Sequence, residues 1–165
     1  MAEPLSRLSR AVSVAVKWFA GCGLLLMTLI IGWQVFARYV LNASPAWAEQ
    51  AALLLMIWYV MFAAAAGIRE GFHIRITVFV DGLPERLGRF VNLLAHAIVG
   101  LFGVAMAWWG TELTIGVWGH VIPTLGISRG WAYLPIALAG LLITGFALEH
   151  VAADVRGREV EKLWN

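Results

Sequence analysis

Four long apolar runs that contain no lysine, arginine, aspartate or glutamate limit what this 165-residue chain can fold into. They cover residues 18–37, 51–68, 90–109 and 131–148. A helix needs about 20 mostly apolar residues to cross the roughly 30 Å of hydrocarbon in a bilayer, and these runs lack the polar alternation of barrel strands. The sequence therefore predicts an all-α membrane protein, with four transmembrane helices in a single domain that covers residues 1–165.

The composition supports this prediction and excludes several other classes of protein. Apolar residues make up 61% of the chain and charged residues 13%, whereas soluble domains contain about 45–50% and about 25%. A net charge of +2 without a basic cluster gives no electrostatic basis for nucleic-acid binding. The single cysteine, Cys22, excludes an internal disulfide and a cysteine-built metal cluster. The first apolar run exceeds the roughly 7–15 residues of a signal-peptide core, so we interpret it as a retained helix.

The basic residues predict the orientation of the helices, because cytoplasmic loops of membrane proteins are rich in lysine and arginine. Ten of the twelve lie in the N-terminal segment, in the loop between the second and third runs, and in the C-terminal tail. The other two, Arg38 and Arg129, lie in the remaining two connections. Both termini are therefore predicted to be cytoplasmic.

The connection between the second and third runs contains a segment in which apolar residues partly alternate. A lone strand at the membrane surface would leave backbone groups unpaired, so we expect an interfacial amphipathic segment over residues 72–82. The third helix is expected to run from Pro84 to about Trp118, since proline suits the first position of a helix. The tail at residues 149–165 has mixed charge and is expected to be a solvated helical extension.

Few polar side chains interrupt the apolar runs, and His96 is the only histidine among them. A histidine in a membrane helix commonly hydrogen-bonds to a neighbouring helix, so we expect that role here. The same role is expected for Thr28, Gln34, Asn92 and Thr144. Because the runs contain no carboxylate and no helix broken around a central site, we do not expect this chain to transport ions by itself. It is expected to be part of a larger transport or redox machine.

The four histidines leave a second function open, because four-helix membrane anchors can hold haem between two axial histidines. His96 lies within a run, His73 and His150 lie towards the predicted cytoplasmic side, and His120 lies in an outer loop. Depth alone excludes neither His73 nor His150 as a partner of His96. The alternative function is therefore a haem- or quinone-associated membrane anchor of a redox enzyme.

Small residues are concentrated in two places, which are residues 63–67 (AAAAG) and the group Gly100, Gly103 and Ala107. Helices in lipid associate largely through close approach of their backbones at small residues. Both places are therefore predicted to be packed helix contacts.

The connection between the first two runs has the most specific local pattern, FARYVLNASPAWAEQ at residues 36–50. Arg38 follows the first run and Glu49 precedes the second, so both are expected at a similar depth. We predict an ion pair between them, because arginine and a carboxylate form strong charge-assisted hydrogen bonds.

Three stretches follow one another with a characteristic spacing along the chain. They are VFARYVLNASPAWAEQ at residues 35–50, GIR at residues 67–69 followed by His73, and TLGIS at residues 124–128 followed by Leu134 and Pro135. In this order they resemble the small membrane subunit of tripartite ATP-independent periplasmic (TRAP) transporters, the DctQ-like family. The likeness covers nearly the whole chain, with Gln50 standing where many relatives have a second glutamate.

This resemblance implies a non-catalytic subunit of a sodium-coupled secondary transporter that imports organic anions such as carboxylates or sialic acids. Its partners would be a large membrane subunit, which would carry the sodium coupling, a periplasmic substrate-binding protein, and membrane lipid. No cofactor or metal of its own is expected. Its location would be the bacterial inner membrane.

The resemblance also implies roles for individual side chains. Six of them are expected to be structural or to lie at the interface with the large subunit: Arg38, Tyr39, Trp47, Glu49, Arg69 and His73. Two more, His120 and Arg129, are expected to contact the binding protein because they lie on the outer side of the membrane.

Overall fold

The computed structural model describes residues 2–70 and 84–155, and this part of the chain contains four long helices. They are α1 (Ala2–Tyr39), α2 (Ala46–Arg69), α3 (Glu85–Gly116) and α4 (Gly130–Val155). All four are long and apolar enough to cross a membrane, which confirms the predicted fold class. The predicted interfacial segment at residues 72–82, including His73, lies outside the described residues.

Each helix begins before and ends after the apolar run that predicted it. The third shows this best, because α3 follows Pro84 as predicted and ends at Gly116, two residues before the expected Trp118. Its 32 residues correspond to a length of about 48 Å at 1.5 Å per residue. This exceeds the roughly 30 Å hydrocarbon layer, so α3 tilts in the membrane or extends beyond it.

The helices pack in the order α1, α2, α4, α3, so that α4 lies between α2 and α3. We compared the most apolar 18-residue stretch of each helix. In α4, 39% of the residues in this stretch are buried, whereas the share is only 11% in α1 and 11% in α3. The main apolar core lies between α2 and α4: Ala65, Ile68, Ala139, Ile143 and Phe146. The packed contact predicted at residues 63–67 is thereby confirmed. Large parts of α1 and α3 remain exposed to lipid or to another protein.

Glycines bring the backbones of α3 and α4 unusually close together. A Cβ atom added to Gly140 would lie 2.5 Å from the backbone nitrogen of Ala107, and one added to Gly103 would lie 2.9 Å from that of Thr144. Both distances are shorter than real Cβ contacts, so only glycine fits at these positions without a shift of the backbone. The contact predicted at Gly103 and Ala107 is confirmed, and it joins the two helices along their middle.

A proline inside α4 leaves one backbone carbonyl without its usual partner. The carbonyl of Trp131 would normally accept a hydrogen bond from the N–H of residue 135, but Pro135 has no N–H. The indole N–H of Trp58, on α2, donates to this carbonyl at 2.9 Å. A side chain of α2 therefore supplies the hydrogen bond that the proline removes from the backbone of α4.

We expect Trp58→Phe to lower the free energy of unfolding by about 0.5–1.5 kcal/mol, because it removes the side-chain donor of the Trp131 carbonyl. In a Pro135→Ala background the restored N–H can occupy that carbonyl, so the same change should cost less. Unfolding of the full chain in detergent, followed by circular dichroism, measures both values. Trp108→Phe is the control, since Trp108 is 68% exposed. Equal costs of Trp58→Phe in the two backgrounds would contradict this role.

The connection between α3 and α4 forms a short β-ribbon that was not predicted from the sequence. Its strands, β1 (Val121–Ile122) and β2 (Ile127–Ser128), pair antiparallel. Gly126 has a φ of +67°, a left-handed conformation that glycine adopts at little cost. The ribbon fixes the geometry of this loop outside the helices.

Candidate functional site: a buried polar network

Arg69, in the last turn of α2, is only 1% exposed and forms the centre of a polar network. Its Nε donates a hydrogen bond to Oγ of Ser9 on α1 at 2.8 Å, and lies 3.7 Å from Oε2 of Glu149 on α4. The Ser9 hydroxyl in turn donates to the Glu149 carboxylate. One arginine therefore connects three helices at the end of the structure where α1 begins and α2 and α4 end.

A second ion pair extends the network on the α1 side. Nζ of Lys17 lies 2.8 Å from Oε1 of Glu70, and Nη1 of Arg69 lies 3.6 Å from the same oxygen. Lys17 follows the fully buried Ser13 and Ser9 at four-residue intervals, which places all three on one face of α1. Lys17 and Arg69 each lie close to a carboxylate of Glu70 or Glu149, and this pairing limits the cost of burying the four charges.

Next to this network, one histidine connects α4 to α2 and a second connects α3 to α4. Nε2–H of His150 donates to the backbone carbonyl of Arg69 at 2.9 Å, which pairs one of the carbonyls left open at the end of α2. Nδ1–H of His96 donates to Oδ2 of Asp154 at 2.7 Å. The two imidazoles stack with a centroid distance of 4.6 Å and an interplanar angle of 5°. The four helices are thus tied together at this end.

These contacts correct the prediction that residues 149–165 form a solvated extension. Glu149 bonds to Ser9, and His150 is buried, because α4 continues alongside α1 and α2 as far as Val155. Residues 156–165 lie outside the described residues.

The His96–His150 arrangement also bears on the haem alternative. Axial histidines direct one nitrogen each at the iron from opposite sides of the macrocycle. Here the rings stack face to face, and their bonded nitrogens point to Asp154 and to the carbonyl of Arg69. Within residues 2–70 and 84–155, no group of three or more His, Cys, Asp or Glu side chains is placed to hold a metal ion. With their rings stacked 4.6 Å apart, His96 and His150 leave no room for a macrocycle between them.

The interhelical hydrogen bonds predicted for the polar side chains within the apolar runs are confirmed for some of them and not for others. His96 makes the predicted bond to a neighbouring helix. Thr28 and Thr144 do not, since each hydroxyl donates to a carbonyl of its own helix, at 2.9 Å and 2.8 Å. This local bond is available to any threonine on a helix. Gln34 and Asn92 make no side-chain hydrogen bond to the described part of the chain.

The predicted ion pair between Arg38 and Glu49 is wrong for the described residues. Asn42 adopts a φ of +54°, and the N–H of Ala43 donates to the carbonyl of Ala37 at 3.0 Å, so the chain turns back against the end of α1 through a left-handed residue. This turn places Ser44 beside Arg38, whose Nε and Nη2 each donate to its Oγ at 3.3 Å.

The structure separates the eight side chains that were singled out from the sequence. Four of them are exposed at the end of α1 and the start of α2, on either side of the connection: Arg38, Tyr39, Trp47 and Glu49. Arg69 lies at the opposite end, buried within the chain itself. His73 lies outside the described residues.

The remaining two, His120 and Arg129, are brought together by the β-ribbon. The backbone N–H of Arg129 donates to the carbonyl of His120 at 2.7 Å, and both residues are exposed. A positive charge and an imidazole therefore lie side by side and exposed at the end of the structure that carries the β-ribbon.

Most residues of the buried network were not predicted from the sequence. The four-residue spacing of Ser9, Ser13 and Lys17 is a signal of one polar helix face. No local pattern relates this face to Arg69 or Glu149, because the contact depends on how the helices pack.

A comparison with known protein families identifies the chain's relatives. Residues 27–157 match the model of the DctQ component of tripartite ATP-independent periplasmic transporters. The chain belongs to this family. As a DctQ-family member it is a transport component and not an enzyme, and its four spanning helices make it a multi-pass protein of the inner membrane. The match includes Arg69, Glu149 and the two stacked histidines, but not Ser9, Ser13 or Lys17.

Individual relatives of this DctQ-family chain are named as small permease proteins. It is 28% identical over 129 residues to the sialic acid TRAP transporter small permease protein SiaQ of Vibrio cholerae serotype O1, covering 74% of this chain and 70% of that protein. It is 30% identical over 105 residues to the C4-dicarboxylate TRAP transporter small permease protein DctQ of the same organism, covering 64% of this chain and 42% of that protein.

A third relative is much longer than this DctQ-family chain. The sialic acid TRAP transporter permease protein SiaT of Haemophilus influenzae is 23% identical over 128 residues, which is 77% of this chain but only 21% of that protein. In that organism a segment similar to this chain therefore forms about a fifth of one permease polypeptide.

Proposed function

We propose that this chain is the small permease subunit of a sodium-coupled secondary transporter that imports an organic anion, such as a carboxylate or a sialic acid. A periplasmic binding protein delivers the anion, and a large membrane subunit carries the sodium and substrate sites. The names of the relatives SiaQ and DctQ support the two substrate classes. The match to one fifth of SiaT supports a close physical association with a larger permease.

The observation that carries this proposal is the contrast between the inside and the outside of the helices. Within residues 2–70 and 84–155, the ionisable groups at the buried end of the helices bond to one another across helices, as expected of groups that hold a structure together. The outer surfaces of α1 and α3 are apolar and mostly exposed. A protein built in this way acts as a stationary scaffold against which a transporting partner packs.

We propose that both termini are cytoplasmic. Ten of the twelve lysine and arginine residues lie in the two terminal segments and around the connection between α2 and α3, and basic residues are concentrated on the cytoplasmic side of membrane proteins. The buried network then lies near the cytoplasmic surface, and the β-ribbon faces the periplasm. Four exposed side chains at the proposed periplasmic ends of α1 and α2 would then contact the large subunit: Arg38, Tyr39, Trp47 and Glu49.

Reconstitution tests this proposal directly. The chain is co-expressed with the large permease and purified in detergent, and uptake of a radiolabelled organic anion is measured in proteoliposomes with a sodium gradient. We expect co-purification of the two membrane proteins, and uptake only when both are present together with the binding protein. Uptake by this chain alone, or undiminished uptake without it, would contradict the proposed role.

The same assay tests the outer surface. We propose that His120 and Arg129 contact an acidic surface of the binding protein, because the β-ribbon places them together and exposed. Arg129→Glu is expected to lower uptake at limiting binding protein while the two membrane subunits still co-purify. Normal dependence on the binding protein in this variant would contradict the contact, and loss of co-purification would assign Arg129 to assembly instead.

A further inference from the structure

A groove between the start of α3 and the end of α4 combines a cation, a carboxylate and apolar walls. Its lining is formed by Arg89, Phe90 and Leu93 of α3 and by Asp154 and Val155 of α4, and its volume is about 240 Å³. A single water needs only about 10–15 Å³ of such space, so the groove can admit a group much larger than water. It lies beside the buried network and belongs to none of the functions proposed above.

We propose that this groove binds the headgroup of one phospholipid that carries a primary amine, as phosphatidylethanolamine does. The Arg89 guanidinium suits the phosphate, because it has five N–H donors and can bond a phosphate oxygen in addition to the interaction it already makes. The Asp154 carboxylate suits the ammonium group, which lies two carbons from the phosphate ester in this headgroup. Asp154 bonds His96 through Oδ2 at 2.7 Å, which holds the carboxylate in place, and a carboxylate can accept several further hydrogen bonds.

The surface next to the groove suits the acyl chains of the same lipid. Phe90, Leu94, Ile98 and Leu101 follow one another along one face of α3, and they are 62%, 49%, 58% and 72% exposed. This apolar face begins at the rim of the groove, because Phe90 itself lines it. A headgroup held by Arg89 and Asp154 therefore places its acyl chains against α3.

The charges in the groove favour this headgroup over other common ones. Phosphatidylglycerol offers a phosphate to Arg89 but no cation to Asp154. Phosphatidylcholine has a cation, but its trimethylammonium group has no N–H to donate to the carboxylate. Of these three headgroups, only the one with a primary amine forms charge-assisted hydrogen bonds with both residues, because its phosphate accepts from Arg89 and its ammonium donates to Asp154.

Native mass spectrometry of the full chain, released from detergent after titration with single lipids, tests this site. The lipids are phosphatidylethanolamine, phosphatidylcholine and phosphatidylglycerol with identical acyl chains. We expect one phosphatidylethanolamine per chain, retained about tenfold more strongly than either other lipid, which is the effect of one or two charge-assisted hydrogen bonds. Equal retention of all three, or stronger retention of phosphatidylglycerol, would overturn the proposal.

Two variants assign the headgroup contacts to their residues. Arg89→Gln should weaken retention of all three lipids, while Arg129→Gln, an exposed arginine at the other end of the helices, should leave it unchanged. Asp154→Asn should remove the preference for phosphatidylethanolamine over phosphatidylcholine and leave phosphatidylglycerol retention no weaker. If Arg89→Gln retains lipid as well as Arg129→Gln does, the site is wrong. Arg89 is exposed, so this comparison stands even if Asp154→Asn disturbs the bond to His96.

Discussion

Arg69→Met is expected to lower the free energy of unfolding by about 3–5 kcal/mol, the range for removing one partner of a buried ion pair. The change leaves the Glu149 carboxylate facing a side chain that offers it no charge, and it removes the donor to Ser9. Methionine keeps much of the volume of the arginine stem, so the loss reports the charge and hydrogen bonds rather than a cavity. Chemical unfolding of the full chain in detergent micelles measures the value.

Arg38→Met is the matched control for this experiment. Arg38 is exposed and bonds only Ser44 at 3.3 Å among the described residues, so its loss should cost at most about 1 kcal/mol. Arg69→Lys should fall between the two, because lysine keeps the charge but lacks the fork that reaches both Ser9 and Glu149. If Arg69→Met and Arg38→Met were equally stable, the network would not hold the helices together.

A double variant separates the ion pair from the rest of the network. Glu149→Gln removes the opposite charge, so the cost of Arg69→Met in that background should fall well below its cost alone. Additive costs would show that the 3.7 Å approach of Arg69 and Glu149 carries little of the stability. In that case the hydrogen bond from Arg69 to Ser9 would carry it instead.

The four spanning helices could be predicted from the sequence because the hydrocarbon layer acts on each of them separately. A run such as residues 131–148 needs no knowledge of its neighbours to be recognised, since its length and apolarity decide the outcome. The start of α3 after Pro84 was predictable for the same reason, because the constraint of proline is local. The small-residue contact at Gly103 followed from a general rule about packing in lipid.

The contacts between helices could not be predicted in this way. Ser9, Arg69 and Glu149 are separated by 60 and 80 positions in the sequence, and only the packing order of the helices brings them together. The ion pair expected between Arg38 and Glu49 failed because a single left-handed residue, Asn42, sets the geometry of the turn. From the sequence alone, a charged residue next to an apolar run is expected to be solvated, but it becomes buried where the ends of two helices pack together.

The buried network and the glycine contact stabilise different parts of the same structure. The network joins the ends of the helices around Arg69, whereas the α3–α4 contact at Gly103 and Gly140 lies in the apolar middle. In lipid the middle has no hydrophobic driving force between helices, so it depends on close packing. Of the polar contacts at this end, the bond between His96 and Asp154 is the one that needs the glycine contact, because it joins α3 to α4.

Gly140→Leu is expected to destabilise the chain by about 3 kcal/mol or more, at the upper end of the range for overpacked contacts. The new side chain would meet backbone atoms, since even a Cβ at Gly140 would lie 2.5 Å from the nitrogen of Ala107 and 2.7 Å from the oxygen of Gly103. Backbone cannot turn away as a flexible side chain can, so α3 must separate from α4. Chemical unfolding in detergent micelles measures the loss.

Gly145→Leu is the matched control, because Gly145 lies on the same helix and an added Cβ there meets nothing within 4 Å. This change should alter stability by no more than about 1 kcal/mol, in the direction of a gain, since leucine is a better helix former than glycine. A separation of α3 from α4 should also pull His96 away from Asp154, which lie 2.7 Å apart. In a Cys22→Ala background, a short bifunctional thiol reagent should therefore link cysteines introduced at these two positions readily with Gly145→Leu and poorly with Gly140→Leu. Equal cross-linking in the two variants would mean that α3 and α4 stay together without the close approach at Gly140.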